Sequence, residues 1–305
     1  MARARTTADW GIALALSLVW GTAFLLTRIA LGSLPPATLV ATRLAVAAVL
    51  LSVGLRATGR RFPTSIRVWL HFLLMGFLGN TLPFFLVTWG QQRITSGLAG
   101  ILMAVIPLAT LVLAHFLVDG DRMTPVRAAG FLLGFAGVVL LIGPDALREL
   151  GGGRTDVASQ LAVLAGALCW AANAIVARRL ENVDASVAAA GTLVTGTVLM
   201  LPVALVWETP WRIGVTPAAF GAALWLGVVC TALADTLYFR LIATAGPTFF
   251  ALINYLIPLV AAVAGVVVLG EVLPATAIAA LALILSGLAL GQRPAGDPAA
   301  EPAPR

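Results

Sequence analysis

Residues 246–271 read GPTFFALINYLIPLVAAVAGVVVLGE: an apolar run with Pro258 near its middle, Asn254 four residues before it and Glu271 at its end. Residues 96–121 read SGLAGILMAVIPLATLVLAHFLVDGD and repeat the plan, with Pro107 and Asp121 in the matching places. Both stretches are helical in pattern and carry Ile-Pro-Leu in mid-span. A proline inside a helix removes one backbone donor and pushes away the carbonyl four residues back, here that of Met103 or Asn254. In hydrocarbon a freed carbonyl is costly unless protein or a water-filled cavity receives it. Two interruptions in matching positions of two halves predict a binding site between the halves, around Pro107 and Pro258. The competing reading is packing alone, because proline kinks are common in membrane helices.

The rest of the composition says which solvent the chain lives in. Of 305 residues, 60% are hydrophobic and 10% charged, whereas a soluble domain carries about 25% charged residues. Too little polar surface is left to cover such a core in water, so the solvent is lipid and the fold class is an all-α integral membrane protein. All 19 basic residues are arginine. Without lysine there is no phosphate loop of the GxxxxGK[ST] type and no Schiff-base chemistry. The arginines fall in short loops between apolar runs, which reads as membrane orientation and not as nucleic-acid binding. Cys169 and Cys230 lie inside apolar runs, and His71 and His115 are far apart, so the sequence calls for no metal and no cofactor. The arginine and alanine bias points to a GC-rich bacterial genome.

A spanning helix needs about 20 mostly apolar residues. Ten such runs are expected, at 10–31, 36–55, 68–90, 95–117, 125–143, 158–180, 186–207, 217–240, 246–269 and 274–291. With the N-terminus inside, thirteen arginines fall in inner segments and four (Arg93, Arg148, Arg154, Arg212) in outer ones. The expectation is a multi-pass protein of the bacterial inner membrane with both termini cytoplasmic. The chain also repeats itself: Trp20 to Arg28 matches Trp170 to Arg178, and Gly137 matches Gly287. Five helices per half is an odd number, so the second half enters from the opposite side and the repeat is inverted. The expected division is a first five-helix repeat over 1–143, a Gly-rich linker over 144–157, a second repeat over 158–291 and a disordered cytoplasmic tail over 292–305.

The WGTAF stretch of helix 1, Arg43 in helix 2, Ile-Pro-Leu in helices 4 and 9, the carboxylates Asp121 and Glu271, and Gly137 and Gly287 together resemble the EamA-type permeases of the drug/metabolite transporter superfamily. The likeness covers about 12–141 and 161–290. No single motif carries it; order, spacing and duplication do. It implies ten helices, an inverted repeat, and export of amino acids or other small metabolites by alternating access. Two departures stand out. Leu193 or its neighbours occupy the place where Arg43 would repeat, and Asp121 replaces the usual glutamate.

Polar groups at membrane depth are the informative ones. Asp235 is the one carboxylate well inside an expected span, and Thr231, Asp235 and Tyr238 share a helix face. Asp235 reads as a cation ligand or proton carrier, or else as a partner of Arg240. Asn254 and Tyr255 stand where the first half has Met103 and Ala104. Trp20, Phe24, Asn80, Phe84, Trp170 and Asn173 lie near the midplane and suit an apolar pocket with a few orienting amides; as packing residues they would be interhelical glue. Arg43 could meet a substrate carboxylate or an outer-gate acid, snorkel, or tie helix 2 to carbonyls. The substrate-binding candidates are thus Trp20, Phe24, Asn80, Phe84, Trp170, Asn173, Tyr238, Asn254 and Tyr255. Asp235, Arg43, Pro107 and Pro258 are candidates for coupling or gating.

The function expected is a secondary transporter exporting a small metabolite such as an amino acid, with membrane lipid and the substrate as partners. Whether it works as a monomer or a homodimer stays open. The rival within transport is an efflux pump for lipophilic cations, which Asp235 keeps alive. From another class, an intramembrane enzyme lacks the clustered acid, base and nucleophile it needs, and a lipid scramblase would leave the two-sided repeat unexplained.

Overall fold

The computed structural model describes residues 6–117, 124–142, 155–180, 183–245, 247–250 and 253–291. They form ten helical segments: α1 Thr7–Ala30, α2 Pro36–Ala57, α3 Ile66–Gly90, α4 Ser96–Leu117, α5 Pro125–Ile142, α6 Thr155–Ala177, α7 Ala185–Glu208, α8 Pro217–Ala245, α9 Ile253–Leu269 and α10 Ala275–Gly291. A single turn, Pro247–Phe250, precedes α9. Among the described residues there is no strand. Seven of the helices are long and apolar enough to cross a membrane, and α5, α9 and α10 are shorter apolar helices.

Local chemistry sets the ends. Thr6 and Asp9 form a capping box on α1, Thr95 caps α4, and Thr216 caps α8 with Pro217 at its first position. Each places a side-chain oxygen on an amide that has no intrahelical partner. The boundaries of α6 and α8 depart most from the sequence reading, and α9 is described as one continuous helix only from Ile253. α6 begins at Thr155, inside the stretch assigned to the linker, and ends at Ala177 rather than 180. α8 continues to Ala245 rather than 240, because nothing between Arg240 and Ala245 breaks a helix. The remainder of the linker, the tail and Asp121 lie outside the described residues.

The outer surface of the bundle is apolar: Val267 is 75% exposed and Val206 72%. Patches of that kind are covered by lipid tails, which gain nothing from helix–helix contact, so small residues and close backbones must hold the bundle together. α5 packs along α10, where a Cβ at Gly137 would sit 2.8 Å from the Ala280 carbonyl and one at Gly287 would sit 2.9 Å from Gly134 Cα. α3 packs on α7 with Gly76 against the Thr192 carbonyl. α8 packs on α2 with Gly227 against Val46. Polar side chains add to this: Thr195 donates to the Phe72 carbonyl at 2.8 Å, and Thr81 to the Gly196 carbonyl at 3.0 Å.

Two carboxylates cap helices across the bundle. Glu208, at the end of α7, accepts from the amides of Ala37 and Thr38 at the start of α2, at 2.9 and 2.6 Å. Glu271, between α9 and α10, accepts from the Ser96 and Gly97 amides at 2.8 and 3.0 Å and from the Ser96 hydroxyl. An anion on the free amides of a helix start is also favoured by the helix dipole. Glu271→Ala should therefore lower the stability of purified protein by about 1–3 kcal/mol, read as a fall in melting temperature in detergent. An unchanged melting temperature would show that the cap contributes nothing.

The paired prolines are not treated alike. α4 is interrupted before Pro107: Ala104 and Val105 leave the α pattern and donate to carbonyls three residues back, at 3.1 and 3.3 Å. α9 stays helical through Pro258, with Val260 seated on Gly21 of α1 and Ala261 on Gly100 of α4. Hydropathy also gave no sign of the π-turns at Phe77–Thr81 in α3, Val228–Leu233 in α8 and Ala204–Glu208 at the end of α7. A π-turn adds a residue to one turn, which re-aims the side chains around it and often marks a functional site.

Candidate functional site

A cavity of ≈ 410 Å³ lies between α1, α2, α3, α4, α6, α8 and α9. Its walls take Trp20, Phe24, Asn80, Phe84, Trp170, Asn173, Tyr238 and Asn254, together with Arg43, Asp235 and Pro258. The sequence-derived candidates are thus gathered at one place, with two exceptions. Pro107 is not in the lining, which takes Met103, Ala104 and Ile106 from the same helix instead. The side chain of Tyr255 lies outside the described residues.

The two π-turns of α3 and α8 both face this space, through Gly79 and Asn80 on one side and Cys230 and Thr231 on the other. The aromatic walls are built by edge-to-face contacts. Phe84 and Trp170 meet at 5.5 Å and 77°, and Trp170 donates its indole N–H to the Gly79 carbonyl at 2.7 Å. Across the cavity, Phe250 touches Tyr238 at 4.7 Å and Trp20 at 6.0 Å. Each ring thereby presents an apolar body to the cavity while its edge is fixed.

Polar groups are few and divided by charge. Arg43 does not snorkel and does not bind backbone carbonyls. It is 8% exposed, donates from Nε to the Thr231 hydroxyl at 2.8 Å, and lies 3.8 Å over the Phe84 ring. The helix that carries it is covered by α7 and α8, so no path to the headgroups is open. Asp235 sits ten residues from the end of α8 at Ala245, about 15 Å along the helix and deeper than the shorter expected span implied. It interacts electrostatically with Arg43, yet among the described residues the two form no contact ion pair.

The two ends of the cavity differ. At one end Thr27, Thr88, Gln91, Met103 and Ala104 line it and are buried. There Gln91 donates to the Phe24 carbonyl at 2.9 Å, and Arg28 donates to the Gln91 carbonyl. The first half of α4 closes this end against α9, with Gly97 and Gly100 on Ala262 and Ala261 and Glu271 on Ser96. At the other end Ala174 is exposed, and Asp235, Tyr238, Phe250 and Asn254 are half-buried. Among the described residues, the second half of α4 makes no comparable packing with the start of α9. Among the described residues the lining is thus buried at the Gln91 end and partly exposed at the Tyr238 end. The sequence reading missed Gln91, whose place just past an expected span made it look like a loop residue. It also left out of the site Thr27, Cys230 and Phe250, for which the only signal was helical spacing from residues already chosen.

Residues 9–143 and 158–291 each match the EamA-like transporter family. The chain belongs to the EamA-like transporter family. Similar members include the "Uncharacterized inner membrane transporter YedA" of Escherichia coli (strain K12), 26% identical over 92% of this chain and 89% of the relative. An "Uncharacterized transporter" of Archaeoglobus fulgidus is 28% identical over 83% of this chain and 86% of that one. The "Probable terminal-alkyne amino-acid exporter" of Streptantibioticus cattleyicolor is 28% identical over 94% of this chain and 93% of its own length. A solved crystal structure shares the fold with a TM-score of 0.67 at 23% identity, over 95% of this chain and 98% of that one. This EamA-like chain is accordingly a multi-pass membrane protein with inner-membrane transporters among its relatives.

Proposed function

We propose that this protein is a secondary transporter that exports a small metabolite, an amino acid or a related compound, by alternating access and in exchange for protons. The observation that carries the reading is the cavity: one charge comes from each half of the chain, amides and aromatic rings line it, and its lining is buried at one end and partly exposed at the other. In this reading the ten helices cross the membrane as two inverted five-helix repeats, 1–143 and 158–291. The helix pairings support it. Exchanging each helix with the one five places on turns α1–α9 into α6–α4, α3–α6 into α8–α1 and α3–α7 into α8–α2, and leaves α2–α7, α4–α9 and α5–α10 unchanged. The breaks in this exchange all involve α4 or α9: among the described residues α4 packs on α1, α5 and α10, whereas α9 makes no comparable packing on α6, α10 or α5, in keeping with a cavity buried at one end and exposed at the other. A second arrangement with the two ends swapped is the other half of the cycle.

With both termini cytoplasmic, as the arginines direct, the open end faces the cytoplasm and takes up substrate for export. An exporter driven by inward protons must hold substrate and proton alternately, and Asp235 is the group that can do so, accepting either a substrate ammonium or a proton. The amino-acid exporter among the relatives gives the substrate class its support. Efflux of lipophilic cations is the rival reading, favoured by the aromatic walls beside Asp235. The test is flux of a broad panel of amino acids, metabolites and lipophilic cations in proteoliposomes of the purified protein. Flux of cations alone would establish the rival, and no flux of any compound would sink both.

Within this reading Asn254 holds the substrate, while Met103, at the matching place, only packs. Among the described residues Asn254 has no hydrogen-bond partner, and it lines the cavity. Asn254→Ala should weaken binding about five- to tenfold, as expected for loss of one hydrogen bond, and Met103→Ala by less. A titration of ligand-induced thermal shift checks the order, and the reverse order would overturn the assignment.

A further inference from the structure

Arg43 is held in a way that no packing role requires. Its Nε–H is spent on Thr231. The Thr231 hydroxyl in turn donates to the Leu226 carbonyl, five residues back, at 2.9 Å. That carbonyl is within reach because the helix widens into a π-turn at Val228–Leu233. The face of the guanidinium is covered by Phe84. What is left is the edge carrying the two Nη groups, for which the described residues supply no acceptor. A buried cation with unused donors is expensive unless an anion completes it. The nearest carboxylate, Asp235, lies one helical turn beyond Thr231, about 6 Å along α8, and does not touch it.

Resting on the transporter reading above, we infer that the Nη edge of Arg43 is a carboxylate subsite, with Thr231 and Phe84 as its positioning residues. The planar fork takes a carboxylate in the two-point geometry that lysine cannot reproduce. Phe84 blocks approach from one face, so the carboxylate enters in the plane of the guanidinium, from the cavity. The spacing of Arg43 and Asp235 then selects a substrate with a carboxylate and a cationic amine within a few ångströms of each other. One charge is read by the first half of the chain and the other by the second. Esters of such compounds, whose carboxyl group carries no charge, and the amines that remain when the carboxylate is removed leave Arg43 without its acceptor and are rejected.

The test uses full-length purified protein and three probe sets: L-leucine, L-phenylalanine and L-threonine, each with its methyl ester and its decarboxylated amine. Binding is read as ligand-induced rise in melting temperature, and flux of the three acids is read in proteoliposomes. At least one acid should bind about 30-fold tighter than its ester and its amine, the scale set by loss of a partner to a buried charge. Arg43→Gln should erase that ratio, which is measured within one preparation and so does not depend on the folded fraction. Thr231→Val should raise KM about tenfold with kcat within about twofold, by loosening the fork, and Thr231→Ser should restore it. Esters binding as well as acids, or a ratio unchanged in Arg43→Gln, would overturn the subsite and leave the transporter reading standing. If no acid is bound or carried while other compounds of the broader panel are, the subsite falls alone; if nothing is carried, both fall.

Discussion

Asp235→Asn abolishes the flux that a pH gradient drives, by about a hundredfold or more, the range expected when a buried charge loses its role. The argument is stoichiometric. In the proposed exchange of substrate for protons, the carrier needs one group that holds either but not both. In the lining, Asp235 is the one carboxylate, and it shares the cavity with a guanidinium held elsewhere, on Thr231 and Phe84. Asparagine keeps the shape and cannot take up or release a proton. Downhill exchange without a pH gradient should persist with weaker affinity for amines, and Asp235→Glu should retain part of the coupling. The measurement is substrate flux in proteoliposomes with and without an imposed pH gradient. A flux in Asp235→Asn that still follows the gradient would remove the residue from coupling.

Gly287→Val should cost at least about 2–3 kcal/mol and most of the monodisperse protein. Overpacking a tight site costs about 1–3 kcal/mol where neighbours can move. Here the neighbours are main-chain atoms: a Cβ would land on the Gly130 carbonyl, the Gly134 amide and Gly134 Cα. No rotamer change relieves that contact, so α5 and α10 must separate, and their close approach is what holds the pair in place of a hydrophobic force. Gly54 is the control, since a Cβ there meets nothing within 4 Å. Gly54→Ala should stay within about 0.5 kcal/mol of the parent. Melting temperature in detergent and yield of the monodisperse peak distinguish the two. Equal behaviour would mean that the α5–α10 contact is dispensable.

These expectations rest on features that were unequally legible in the sequence. Apolar runs of spanning length located the helices to within a few residues, because lipid imposes length and apolar content directly. Facing was harder. Lipid and bundle interior are equally apolar, so periodic hydrophobicity does not say which side of a helix is inside; only polar groups do. Trp20, Asn80, Trp170, Asn173, Asp235 and Asn254 were chosen for that reason, and the fold gathers them around one cavity. For Arg43 the sequence leaves a substrate carboxylate, an outer-gate acid, snorkelling and a backbone tie all open, because it gives depth alone, while the partner Thr231 sits 188 residues away. The π-turns of α3 and α8 had no sequence sign, since one added residue in an apolar run alters neither its length nor its composition appreciably. Glu271 stands at the end of its own apolar run in the sequence, yet its acceptor oxygens serve Ser96 and Gly97. Such a partnership depends on which helices are neighbours and cannot be read from spacing.

The one-sided closure of the cavity has a pharmacological consequence. At the end closed by Gln91, Arg28 and the α4–α9 contact, a separate hollow is lined by Arg28, Leu31, Gly32 and Gln92. The end that opens past Tyr238 and Ala174 lies on the face that carries the Arg60–Asp184 ion pair. A competitive blocker in this conformation is therefore sided. Applied from the Arg60 face it meets the lining directly, whereas from the opposite face it must wait for the proposed exchange of the two ends. Onset times from the two faces of an oriented membrane would then clock the conformational cycle itself, without any transported solute.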